Sequence, residues 1–264
     1  MIHPTTIIHP NARVPASASI GPFSVVDEHV EIGEHCTVGP HVYLTGHLTM
    51  GSHNQFHAGC VIGDAPQDLK YKNEPTRLRL GSHNVFREYC TVQRSNKIAE
   101  DTVVGSNNFL MVNSHIGHNC LVGDHVIIAN GALLAGHVTV SDKVFISGNC
   151  LIHQFVRIGA FALMQGGSAI SKDLPPYCIA RGDNGVCGLN IIGLRRAGFS
   201  SEERLELKNL YRLIFRGGLK KSEAIGLARE KFTREKSKIF LDFISESKRG
   251  LCADTGLHGA ESED

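Results

Sequence analysis

Residues 110–140 read LMVNSHIGHNCLVGDHVIIANGALLAGHVTV, with an apolar residue at every sixth place: Leu110, Ile116, Val122, Ile128, Leu134 and Val140. Followed outward, the phase runs from Ile2 to Ile170 and holds at 27 of 29 positions; the exceptions, Asp68 and Glu74, share one polar stretch. A chain that is 42% hydrophobic would fill fewer than half of those places by chance, so this is an internal repeat. Six residues are too few for a helix pair or a propeller blade but suit one side of a parallel β-helix, three sides making a triangular coil of eighteen residues. Coils about 4.8 Å apart would put each residue over its counterpart eighteen positions on, and roughly nine coils would form a prism about 45 Å long.

Several finer expectations follow from the phase. Glycine often follows the repeating residue, as at Gly21, Gly33, Gly51, Gly63 and Gly117, which predicts corners that need a positive φ. Ile62 and Leu80 are eighteen apart, so the stretch between them is expected to replace two sides of a coil and bulge out without shifting the register. Cys36, Cys60, Cys90, Cys120 and Cys150 fall two places before the repeating residue, as do Ala18, Ser24, Ala132, Ala162 and Ser168, marking a small inward position. These cysteines lack CxxC spacing and partners eighteen residues on, which predicts reduced core thiols.

The rhythm predicts a β-helix over residues 1–189 with a loop inserted at 64–79. Past Pro175 and Pro176, and a loop from Arg181 to Leu194, the composition turns charged and helix-forming. Ser200 or Ser201 can cap a helix with Leu205, Leu210, Leu213 and Ile214 on its apolar face and Gly217 and Gly218 at its end. Ser222 to Phe232 and Glu235 to Ser247 read as two more, the latter with Ile239, Phe240, Phe243 and Ile244 as core. Residues 190–250 are thus a predicted helical subdomain covering the open end of the prism, and 251–264 a disordered tail. A net charge of +1 argues against nucleic acid as a partner. No charged, apolar leader and no long apolar run is present, so no membrane span and a cytoplasmic setting are expected.

The fifteen histidines are the place to look for chemistry. His29, His35, His41, His47 and His53 recur every six residues, so that His29 and His47, or His35 and His53, would stack on successive coils at a solvated corner. His115, His118, His137 and His153 differ: they fall within about two coils, in NSHIGHN, LAGHV and LIHQF, accompanied by Asn119, Gly136 and Gln154. Four histidines so placed mark the candidate active site, and no metal or other cofactor is expected there.

With HPTTIIHPNARV at the start, PQDLKY in the loop, then HIGHN, LAGHV, HQF, DLPPY and GLNIIGLRRAGF, the chain resembles the acyl-(acyl-carrier-protein)–UDP-N-acetylglucosamine O-acyltransferases over nearly its whole length. The resemblance implies a left-handed parallel β-helix, a homotrimer with active sites between neighbouring prisms, and the opening step of lipid A synthesis. In that step a fatty acyl chain, usually 3-hydroxylated, passes from acyl carrier protein to the 3-hydroxyl of UDP-N-acetylglucosamine. It also implies His118 as general base and Gly136 as oxyanion donor. His115, His137, His153 and Gln154 would bind the sugar or pantetheine, and Gln67, Asp68 and Lys70 the glucosamine. Asn190 and Arg196 would hold the nucleotide, with Arg195 an extra diphosphate partner by its charge, and Gly166 would lie at the acyl groove, where a glycine favours a longer chain. An imidazole titrating near neutrality suits removal of a hydroxyl proton, and a preorganised N–H suits the oxyanion that attack creates.

Three departures from the family pattern stand out. Asn119 replaces the aspartate after the catalytic histidine; it brings no negative charge and can hold the wrong tautomer. Ile192 and Ala197 replace a glutamate and an arginine at the nucleotide, and Gln93 replaces a histidine. Transfer to a 3-amino sugar analogue, giving an amide, is therefore an alternative, as is another acyltransferase of the hexapeptide-repeat superfamily. A zinc hydratase on the same fold would need histidines five residues apart, which this chain lacks; a non-catalytic scaffold is the remaining class.

Overall fold

The computed structural model describes residues 1–256. Each hexad forms a short strand whose repeating apolar residue points inward, as Ile116 does beneath His115, and the strands collect into three parallel walls. Wall one begins at Ser19–Ile20, wall two at Ile7–Ile8 and wall three at Val30–Glu31. Two residues suffice for a strand because the coils above and below supply partners for its backbone groups. Registers of eighteen hold through the upper coils, as in Ile116 with Leu134 and Val122 with Val140, and the inward column from Ile20 to Ile170 forms one continuous core.

The lowest coils keep the same spacing, but the middle coils correct the expected register. Met50, Phe56 and Ile62 lie beside Leu80, Phe86 and Val92, thirty residues on, and these three lie beside Val104, Leu110 and Ile116, twenty-four on. The polar stretch after Ile62 therefore adds twelve residues between walls two and three and replaces no side: Ile62 is on wall two and Leu80 on wall three. A second excess, of six residues, lies between Gln93 and Thr102 and carries Ile98, which is in phase yet 58% exposed. A period of six cannot register an insertion of six.

The corners also differ from expectation. Among the glycines that follow repeating residues, Gly63 has a positive φ, but the general positive-φ position lies two residues further on, at His35, His53, Asn119, His137 and Phe155. Gly33 shows the reason for glycine before the corner: a Cβ there would lie 2.3 Å from the carbonyl oxygen of Gly51 on the next coil. The corner histidines stack, His29 on His47 at 4.3 Å and His35 on His53 at 5.0 Å, the second pair continuing to His83. All eight cysteines are free and buried. Cys60 does have a partner in Cys90, thirty residues away because of the insertion; their hydrogen bond and burial push the Cys60 thiol up.

Asn54, Asn84 and Asn108 occupy the inward position beside one corner on three successive coils, all fully or nearly fully buried. Asn54 Oδ1 accepts from Asn84 N and Nδ2 at 2.9 and 3.0 Å, Asn84 Oδ1 accepts from Asn108 N at 2.9 Å, and Asn108 Oδ1 from Val126 N at 2.7 Å. Their Nδ2 groups donate to Gly81, Gly105 and Gly123 carbonyls, so each amide is paired on both sides.

Four helices follow: α1 (Ile191–Arg196), α2 (Ser201–Arg216), α3 (Lys221–Lys231) and α4 (Glu235–Ser245). Ser200 and Glu203 form a reciprocal capping box at the start of α2. Leu207, Leu210 and Tyr211 of α2 and Phe240, Leu241, Phe243 and Ile244 of α4 are buried, whereas Leu205 and Ile239, expected in the core, face solvent. α2 packs on the strand Gly185–Leu189, inside the segment expected to be loop, and against α3 and α4. The expected tail also needs correction: Leu251 bridges Asp173, Ala253–Asp254 adds a strand beside Gly185–Val186, and Asp254 pairs with Arg216. Backbone pairing and the burial of Cys252 hold this segment in place; residues 257–264 lie outside the described residues.

Candidate active site

The corner between walls two and three is built three times over in successive coils, by His118 and Asn119, then Gly136 and His137, then Gln154 and Phe155. His137 N donates to His118 O at 2.9 Å and Phe155 N to Gly136 O at 3.2 Å, which stacks the three turns. Gly136 is where the imidazole rests: a Cβ there would lie 2.6 Å from both Cε1 and Nε2 of His118. Gly136 is buried, and its N–H donates to no group among the described residues. A base and an unspent backbone donor thus meet at one point, the arrangement needed for attack on a carbonyl.

Asn119 settles the tautomer. Its Oδ1 accepts the backbone N–H of Asn96 at 3.0 Å and lies 2.8 Å from His118 Nδ1; its Nδ2 donates to Ser95 Oγ at 2.8 Å and to Glu100 Oε2 at 3.1 Å. A backbone N–H can only donate and a carboxylate only accepts, so the amide cannot be reversed. Oδ1 therefore faces the ring, Nδ1 carries the hydrogen, and Nε2 is left with its lone pair. The concern that asparagine would hold the wrong tautomer does not apply in this setting.

Around this point, His137 meets His118 edge-on at 5.2 Å and stacks on Phe155 at 4.6 Å. Burial, followed by the neighbouring His118 and Lys97, holds the His137 imidazole below its ordinary value. Burial does the same to His115, whose Nδ1 lies 2.7 Å from Thr91 Oγ1. Asp68 Oδ1 accepts from Lys70 N at 3.0 Å and Oδ2 from Asn96 Nδ2 at 2.7 Å; these bonds hold its carboxyl below the usual range. Asn96 thereby ties the inserted loop to the His118 corner. Gln93, buried, accepts from Gln67 N through its Oε1 and anchors the same loop.

Wall two carries a groove of about 680 Å³ from this corner toward the helical end, floored by Leu133, Leu151 and Ala169, with Gln67 and His115 at one end and His153 on its side. Gln154 is exposed at the corner, Lys70 is exposed beside Asp68, and Gly166 lies on the corner that leads into Ala169, where an added Cβ would meet nothing nearer than Gly148 O at 3.6 Å. Asn190, Arg195 and Arg196 are not in this group. Asn190 caps α1, accepting from Gly193 N and donating to Phe161 O, on the corner between walls three and one, and both arginines are exposed in the last turn of α1. Sequence reasoning missed Ser95, Asn96 and Glu100, which sit in the six-residue excess that the repeat conceals. Among the described residues, no group of three or more His, Cys, Asp or Glu side chains is placed to hold a metal.

Comparison with known proteins agrees with the repeat and with the helical end. The bacterial transferase hexapeptide model matches residues 16–46 and 101–136, and the second-domain model of UDP-N-acetylglucosamine O-acyltransferases matches 173–252. An acyl-(acyl-carrier-protein)–UDP-N-acetylglucosamine O-acyltransferase from Paraburkholderia phymatum is 42% identical over 257 residues, covering 95% of this chain and 98% of its own. The solved UDP-N-acetylglucosamine acyltransferase of Francisella novicida superposes with a TM-score of 0.93 at 34% identity over 100% of both chains. That of Bacteroides fragilis gives 0.91 at 38% identity over 95% of this chain and 99% of its own. Identity at this level across almost the entire length, prism and helices alike, leaves a single assignment: the chain belongs to the acyl-(acyl-carrier-protein)–UDP-N-acetylglucosamine O-acyltransferase family of enzymes.

Proposed function

We propose that this enzyme transfers a fatty acyl chain from acyl carrier protein to the 3-hydroxyl of UDP-N-acetylglucosamine, opening lipid A synthesis. The observation that carries the reading is the contact of the His118 ring with Gly136, whose buried N–H is unspent. Nε2 of His118 takes the hydroxyl proton as the sugar oxygen bonds to the thioester carbon. The Gly136 N–H receives the oxyanion. Collapse breaks the carbon–sulfur bond, the proton passes from His118 to the departing thiolate, and the products are an ester and free carrier thiol. Asp68, Lys70 and Gln67 face the sugar, His115, His137, His153 and Gln154 line its approach and that of the pantetheine arm, and the apolar floor of wall two takes the acyl chain up to Gly166.

Asn190, Arg195 and Arg196 sit on another corner of the prism, so a nucleotide held by them reaches His118 only across a second copy. This supports a homotrimer with sites between protomers. Family membership supports the left-handed winding, and the use of acyl carrier protein a cytoplasmic setting; no helix among the described residues is long and apolar enough to cross a membrane. His118→Ala tests the reading: transfer is expected to fall by about 100- to 10,000-fold, with UDP-N-acetylglucosamine still bound by calorimetry. Unchanged transfer dismisses His118 as the base. The same assay with the 3-amino sugar nucleotide decides between ester and amide.

A further inference from the structure

One ionisable side chain at the corner is left without a task. Glu100, in the six-residue excess, places Oε2 3.1 Å from Asn119 Nδ2 and 3.8 Å from His137 Nδ1, while Oε1 accepts Lys97 Nζ at 3.0 Å. Resting on His118 as general base, we infer that Glu100 is a positioning residue for it: the Glu100 carboxylate polarises the Asn119 amide, and the amide transmits that negative charge to Nδ1–H of His118.

The geometry supports this in three ways. The two hydrogen bonds run head to tail, from His118 Nδ1–H to Asn119 Oδ1 and from Asn119 Nδ2–H to Glu100, so each strengthens the other. The amide between them is buried, at 6% exposure, and all four of its hydrogen-bonding places are filled, so it cannot turn away when the imidazole gains its proton. The segment bearing Glu100 is also locked to the corner, because Asn119 N donates to Thr102 Oγ1 at 2.7 Å and Asn96 N to Asn119 Oδ1. Charge at the far end of this chain favours the imidazolium formed during attack.

The charged and titratable groups facing Glu100 are Lys97 from its own segment and His137 from the next coil; Asp68 faces His118 from the twelve-residue loop. The hydrogen bond from Lys97 holds the Glu100 carboxyl below its ordinary range. The carboxylate is therefore charged throughout the range in which a histidine base works.

Glu100→Gln keeps the side chain's shape and removes the charge. In the full-length enzyme, with acyl-carrier-protein thioester and UDP-N-acetylglucosamine, kcat is expected to fall about five- to tenfold, the difference between a charged and a neutral hydrogen-bond partner. KM for the sugar nucleotide stays within about twofold, and the acid limb of the kcat profile moves to lower pH, since less negative charge favours the imidazolium less. Asn119→Asp alone sets two carboxylates against each other where the amide hydrogens were, and is expected to be slow. The double variant N119D/E100Q relieves that repulsion and is expected to exceed both single variants. The His118 pKa, read by NMR on histidine-labelled protein without substrates, is expected to fall in E100Q. An unmoved acid limb and an unmoved His118 pKa in folded E100Q overturn the inference, as does a double variant no faster than the singles. Absence of transfer by the unaltered enzyme would instead sink the acyltransferase reading, while the NMR shift still judges Glu100.

Discussion

Gly136→Ala tests how closely His118, the proposed base, must sit to Gly136, the proposed oxyanion donor. The backbone of Gly136 is not in the left-handed region, so alanine is conformationally acceptable and the whole effect falls on one contact. The added methyl would lie 2.6 Å from Cε1 and Nε2 of His118 and 3.1 Å from Nδ1, against an ordinary contact of 3.4–4 Å. The ring must therefore retreat by roughly 1 Å, and a displacement of that size at a reacting group costs on the order of 100-fold in rate. Because His118 is only partly buried and its ring lies at the corner, the retreat leaves the core intact. The expected result is a kcat about 100-fold lower, an unaltered KM for the sugar nucleotide, and a melting temperature within about 3 °C of the parent. Steady-state transfer assays and thermal unfolding check all three. A folded G136A enzyme with parental kcat would refute the argument, because it would show that the position of the His118 ring against residue 136 does not matter to the chemistry.

If the acyl chain runs along wall two to Gly166, as proposed, Gly166→Met is expected to shift preference toward shorter acyl chains, by about fourfold per methylene displaced at about 0.8 kcal/mol each; competition between carrier-bound chains of several lengths reads it. A parent enzyme that already prefers the shortest chain would contradict the assignment. The histidines predict an acid-side loss of stability. His115, held below its ordinary value by burial, takes up its proton at lower pH in the folded protein than in the unfolded chain, whose imidazole titrates near 6.5, so the unfolded chain binds more protons as pH falls. Its contribution is complete above about pH 6.5 and is lost below it. Thermal unfolding between pH 7.5 and 5 should show a shallower decline for His115→Gln than for the parent, and parallel curves would count against the shift.

The stacking that places His118 beside Gly136 is legible in the sequence because no insertion intervenes above Val104; eighteen residues there mean one coil. Across the two insertions, between Met50 and Ile116, the same arithmetic misleads. Ile98 keeps the apolar phase yet lies outside the wall, and the Cys60–Cys90 contact is invisible at a spacing of eighteen. Glu100 and Asn96 share the cause: they sit in irregular chain, where periodicity says nothing about which side chain reaches the corner. Asn119 is legible as a departure, but its effect depends on neighbours supplied by that irregular segment. The course of residues 251–256 escapes for another reason, since Leu251 and Cys252 are held by Asp173 at the end of wall three and Ala253 by Gly185 on wall one, edges that only the folded prism creates.

Repeating apolar rungs make a poor ruler, because a stack that slips by one side still buries an isoleucine where a valine belonged. The three stacked asparagines, Asn54, Asn84 and Asn108, are not interchangeable in that way. They span the two steps at which the chain could be miscounted, thirty residues from Asn54 to Asn84 and twenty-four from Asn84 to Asn108. A slipped stack would strand an amide among hydrocarbon at about 1–3 kcal/mol for each lost partner. The column therefore works as an alignment key, and the coil bearing the His118 imidazole, next in line above Asn108, inherits its place from it.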